Sequence, residues 1–115
     1  MYLKITAETQ KLETIGTPVT LKVLQQGVGG WIEIVRPKWM PNGLLMIVDE
    51  EGMLKNSTRN LFASFLYGTQ DHGHPIVGDV CFVSERWGDE GPDISDITTN
   101  HRIVIEKIFN AFNAD

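Results

Sequence analysis

A single α+β domain over residues 1–115, with a mostly antiparallel sheet of about five to six strands and about three helices, is what this sequence predicts. Three observations lead there. Strand-length patterns occur as an apolar–polar alternation at residues 3–7 and as apolar runs at 31–35, 44–48 and 79–84. Apolar residues recur at helical spacing in two other stretches, 61–66 and 105–112. The chain of 115 residues suits one hydrophobic core rather than two.

Leu3, Ile5 and Ala7 alternate with Lys4, Thr6 and Glu8, the period of a half-buried strand. Leu12 and Ile15 suggest a second strand, so the first fifteen residues read as a hairpin. Thr17-Pro18 reads as a helix start, because threonine caps and proline has no amide proton to leave unpaired. That helix runs to about Gln26 and stops at Gly27-Val28-Gly29-Gly30. Residues 31–35 and 44–48 are strands, and the turn residues Pro41-Asn42-Gly43 make them antiparallel neighbours. After the acidic turn at 49–52, Met53-Leu54 suggests a short return strand. Ser57 or Thr58 can cap a helix whose apolar face is Leu61, Phe62, Phe65 and Leu66, ending near Gly68. A polar loop over 68–78 leads into the strand at 79–84, and residues 86–93 read as another loop. Ile105, Ile108, Phe109 and Phe112 mark a last helix, capped by Thr99 or Asn100.

Ten Lys and Arg stand against fifteen Asp and Glu, a net charge of −5. This opposes binding to polymeric nucleic acid, which normally needs a broad basic face. A lone cysteine, Cys81, in an apolar run fits a reducing cytoplasm and a core role. No stretch approaches the ~20 apolar residues of a membrane span, so no membrane partner is expected.

Against that acidic background, two segments set an arginine beside a tryptophan just after an apolar run. The first carries Arg36, Lys38 and Trp39; the second carries Arg86 and Trp87. A cation and a flat aromatic ring are the pieces needed to hold a phosphate and stack a base. Stacking contributes on the order of 1–3 kcal/mol per base, and a charge-assisted arginine contact adds a comparable amount. The competing reading folds each tryptophan back as a lid over the sheet end. Trp31 shares a sheet face with Glu33, and is a stacking platform if that face is open or core if a helix covers it. Gly29 and Gly30 can offer backbone amides to a phosphate, or simply end a helix. They match neither a Walker loop nor a dinucleotide fingerprint. Asn60, with Arg59 beside it, can cap a helix or read an amide-like edge. His72 and His74, with Asp71, can touch a ligand phosphate. Zinc would need further ligands, and no metal or other cofactor is expected.

The segments Gly29-Gly30-Trp31-Ile32-Glu33, Asp49-Glu50-Glu51-Gly52, Asn60 with Ala63, and Ile76-Val77-Gly78-Asp79-Val80 resemble the family catalogued as domain of unknown function 3846. The resemblance covers roughly residues 2–84. It implies an accessory protein of bacteriophages, plasmids or other mobile elements, and it transfers no catalytic residue. The motifs that carry the resemblance do not include Trp39 or Trp87.

Together these readings predict a non-catalytic, cytoplasmic binding protein for a small nucleotide-like ligand, an anti-defence sponge that removes a host signal. Arg36, Lys38, Trp39, Arg86, Trp87, Gly29, Gly30, Trp31, Arg59, Asn60, His72 and His74 are the candidate contacts. Exposed aromatic loops on a small domain also predict a homo-oligomer. The alternative is an inhibitor of a host defence protein, using the five carboxylates of residues 85–96. A third reading is a metal-dependent phosphodiesterase built from Asp71, His72 and His74 with the Asp49 turn.

Overall fold

Strands β1 (Tyr2–Ile5) and β2 (Leu12–Ile15) form the N-terminal hairpin. Helix α1 (Leu21–Val28), strands β3 (Ile32–Val35) and β4 (Leu44–Asp49) and helix α2 (Leu61–Tyr67) follow. Strands β5 (Val80–Gly88) and β6 (Gly91–Ser95) and helix α3 (Thr99–Phe112) complete the described elements. The computed structural model describes residues 1–38, 40–69 and 73–114. The six strands form one sheet in the order β2-β1-β5-β4-β3, with β6 also on β5, and each pairing is antiparallel. The α+β class therefore holds.

β5 organises the sheet because its first half is apolar on both faces. Val80, Cys81, Phe82 and Val83 are all buried, as a strand covered on both sides requires. Its length lets two partners share one edge: β1 pairs with residues 80–82, and β6 pairs with 84–88. Leu3, Ile5, Met46, Val80 and Phe82 face α2 and α3, while Tyr2, Leu45, Ile47, Cys81 and Val83 face α1. Phe62 centres the larger core, edge-on to Phe82 at 6.2 Å and to Phe109 at 5.1 Å between ring centroids.

Several boundaries differ from the sequence expectation, each for a local reason. α1 begins at Leu21, not Pro18, and its cap is Thr20, whose side chain accepts from Val23 N. The amide of Val19 is already taken by Asp96 Oδ1 at 2.8 Å, so a tertiary contact holds the lead-in outside the helix. Met53 and Leu54 are exposed and lie in consecutive turns, not in a return strand. α2 is capped by Asn60 rather than Ser57 or Thr58. Leu61 and Phe65, expected on its apolar face, are exposed, and Phe65 packs on Phe112 instead. Thr98, one residue before the expected cap, caps α3.

The largest difference concerns residues 86–93. They are not a loop: β5 continues to Gly88 and turns through Asp89-Glu90 into β6. Gly91 closes the turn at φ 105°, a backbone conformation that strains any other residue. Gly, Asp, Glu and Pro have low strand propensity, so only the ladder with β5 reveals this hairpin.

Gly27 lies inside α1 rather than ending it, because the helix rests there on β5. A Cβ at position 27 would stand 2.9 Å from Cys81 Sγ. Burial pushes the Cys81 thiol up to about 12, which keeps it protonated. Gly27→Ala is expected to destabilise the fold by roughly 1–2 kcal/mol, overpacking outweighing the gain in helix propensity. Cys81→Ala in the same chain should recover most of that loss. A double-mutant cycle by urea denaturation checks it, and additive effects would show the contact to be unimportant.

Candidate ligand-binding groove

β3 ends at Val35 and the chain leaves the sheet through Arg36 and Pro37, returning at Leu44 to begin β4. β5 runs alongside, and Glu85 N donates to Gly43 O at 2.7 Å, prolonging the contact beyond the ladder. Between them lies a groove of about 410 Å³ lined by Arg36, Met40, Asn42, Gly43, Glu85 and Trp87, with Pro37, Pro41 and Leu44. That volume is within the range of small-molecule sites. Trp87 is 72% exposed, so no element folds it into the core.

Arg36 is held by a bidentate pair with Glu85, Nη2 to Oε2 at 2.7 Å and Nη1 to Oε1 at 3.2 Å. The guanidinium side chain is 62% exposed and the carboxylate side chain 11%, so Arg36 forms the accessible side of the pair. The hydrogen bond from Arg36 holds the Glu85 carboxyl below the usual carboxylate range, and the same bond raises Arg36. A carboxyl lowered in the folded state favours folding most above its ordinary pKa, and this contribution disappears as pH falls through the lowered one. The pair is therefore expected to persist through the ordinary carboxylate range and open only in stronger acid. The side-chain carboxyl chemical shift of Glu85 checks this; a titration at the ordinary carboxylate value would contradict it.

The structure divides the candidate residues. Arg36 and Trp87 line one groove. Lys38 lies in the same loop, with its backbone amide on Leu66 O at 2.9 Å, but does not line the groove. Trp39 and His72 lie outside the described residues. Arg86 does not act with Trp87, because neighbours in a strand face opposite sides. It shares its side with its cross-strand partner Asp93, in a separate hollow that also includes Asp89 and Glu90.

Trp31 is 66% exposed at the other end of β3, about 16 Å from Arg36 at ~3.3 Å per residue. It borders a separate hollow with Gln25, Gly30, Glu51 and Lys55. The glycines beside it do not cradle an anion. Gly29 N and Gly30 N both donate to Gln25 O, at 2.9 and 3.1 Å, closing α1. Lys55 Nζ crosses Gly30 to reach Gly29 O at 3.0 Å and Asp49 Oδ2 at 2.8 Å. Asp49 is buried and also accepts from Glu51 N, which makes the acidic turn a structural clasp.

Asn60 is 0% exposed and works as a brace, not a ligand contact. It donates to Ile5 O and Gly78 O and accepts from Ala63 N and Gln10 Nε2, at 3.0–3.2 Å. Arg59 bridges to Val77, and His74 is exposed with its carbonyl on Thr69 Oγ1; neither lines the groove. Among the described residues, no three His, Cys, Asp or Glu side chains are grouped to hold a metal ion.

Glu85 is the groove residue that sequence reasoning missed. Its signal is its place two residues before Trp87, which puts both on one face once β5 is known to continue past Ser84. No helix among the described residues is long and apolar enough to cross a membrane. The model of one family, described as domain of unknown function (DUF3846), matches residues 2–112, well beyond the stretch that carries the resemblance in sequence. No curated protein and no solved structure matches the chain.

Proposed function

The chain belongs to the DUF3846 family, and we propose that it is a non-catalytic binding protein that sequesters a small nucleotide-like molecule in the groove between Arg36 and Trp87. The observation that carries this reading is the meeting of Arg36 and Trp87, distant in sequence, on one groove with the indole exposed. Trp87 supplies a stacking face, and Arg36 supplies guanidinium donors that Glu85 has already oriented. The role that fits is that of an anti-defence sponge encoded by a phage or other mobile element and acting in the host cytoplasm. Such a protein lowers the concentration of a signal such as a cyclic nucleotide or an ADP-ribose derivative. A sponge acts by stoichiometry, so a homo-oligomer with several grooves suits it.

The test is to incubate the purified protein with cyclic dinucleotides and ADP-ribose isomers, remove free ligand, and denature the complex. Recovery of one of them intact supports the proposal; recovery of none overturns it, and a cleaved product would instead indicate a phosphodiesterase.

One observation favours a second reading, an inhibitor of a host protein. Asp89, Glu90 and Asp93 are exposed on the β5–β6 hairpin and could meet a basic surface. Of the five carboxylates in that segment, Glu85 is taken up by Arg36 and Asp96 by backbone and amino-terminal donors. A stoichiometric protein partner pulled from host lysate, with no small molecule retained, would favour this reading.

A further inference from the structure

The charge in the groove constrains what it can hold. Among its described lining residues there is one cation, Arg36, and one carboxylate, Glu85, and they neutralise each other in a bidentate pair. On the opposite face of the hairpin, in a separate hollow, Asp89, Glu90 and Asp93 stand against Arg86, so no second cation is added to the groove from there. The whole chain is at −5. A terminal triphosphate concentrates several negative charges and needs a cluster of cations or a metal to offset them. A phosphodiester carries a single charge on each phosphate. The pair uses two of the guanidinium's five N–H donors, leaving three to meet such a group.

From this we infer that the groove selects phosphodiester ligands of low charge, such as cyclic nucleotides, over nucleoside triphosphates with the same base, and that Glu85 sets this preference. The inference rests on the proposed function and adds the ligand class. Glu85 has two effects. It fixes the guanidinium, so a ligand contact costs little further side-chain ordering. It also cancels the charge that would otherwise attract polyanions. A single phosphodiester keeps the benefit of the first effect and loses little by the second. A triphosphate loses more, because each of its charges meets the carboxylate and the single guanidinium of the groove offsets only one of them.

Calorimetric titration tests this with 3′,3′-cyclic di-AMP and cyclic AMP against ATP, and cyclic di-GMP and cyclic GMP against GTP, in magnesium-free buffer. At least one cyclic phosphodiester is expected to bind, at least tenfold more tightly than the triphosphate of its base. Glu85→Gln removes the charge and one of the two acceptors that hold Arg36, and it should narrow the preference for the cyclic ligand over the triphosphate about tenfold. Equal binding of triphosphate and cyclic ligand to the unaltered protein overturns the inference and leaves the groove as a site. An unchanged preference in Glu85→Gln, with the variant folded by circular dichroism, removes Glu85 as its cause and overturns that half. If no probe binds at all, the phosphodiester inference is overturned, and the proposed function then stands or falls separately on whether an ADP-ribose isomer is retained.

Discussion

Asn60→Ala is expected to destabilise the protein by about 4 kcal/mol, the largest effect of any single substitution considered. Four hydrogen bonds converge on this fully buried side chain, those with Ile5 O and Ala63 N themselves buried and those with Gln10 and Gly78 part-buried. Truncation removes the cap of α2, which alone costs about 1 kcal/mol. It also strands the buried carbonyl of Ile5 and the part-buried carbonyl of Gly78, and an unsatisfied buried group costs about 1–3 kcal/mol. Those two carbonyls end β1 and precede β5, so the side chain ties a helix start to two neighbouring strands. Asn60→Asp separates the terms. It keeps an oxygen for Ala63 N but places negative charge against the two carbonyls, and should be at least as damaging as alanine. Urea denaturation checks both. A loss near 1 kcal/mol for alanine, with aspartate tolerated, would show that capping alone matters.

Trp87→Ala is expected to weaken ligand binding about thirtyfold while leaving folding stability within about 0.5 kcal/mol of the parent. The first figure follows from the loss of roughly 2 kcal/mol of stacking, the second from the exposure of the indole. Trp87→Phe keeps a smaller ring and should recover part of the affinity. Trp31→Ala provides the control, since that ring borders a different hollow at the far end of β3. Titration with whichever nucleotide the purified protein retains gives all three affinities. Equal losses at Trp31 and Trp87 would show that the site is not confined to the groove at the Arg36 end of the sheet.

Part of this molecule was legible from local pattern. The alternation in residues 3–7 located β1, the apolar runs located β3 and β4, and the helical spacing of Ile105, Ile108, Phe109 and Phe112 located α3, because each signal spans only one element. The residues that carry the family resemblance also make physical sense in the fold. Gly30 lies beneath Lys55, the Asp49 carboxylate anchors that lysine, Gly52 abuts Val77, and Asn60 braces β1 and Gly78. These residues serve the scaffold, while the groove is lined by other residues of the matched stretch.

The sequence by itself determined the α+β class, the hairpin start and the strands before and after the first Arg–Trp segment through short-range periodicity and turn chemistry, while its motifs carried the resemblance to the family whose model matches residues 2–112. Only the tertiary structure decided which candidates meet. It made residues 86–93 a hairpin, which turned Arg86 and Trp87 to opposite faces of one strand. It spent the amides of Gly29 and Gly30 on a helix end and the whole side chain of Asn60 on bracing. It set Glu85 under Arg36 and opened Trp87 onto the same groove. The reason is that a ladder between distant strands decides the direction of each side chain, and that pairing is carried by contacts far apart in the chain.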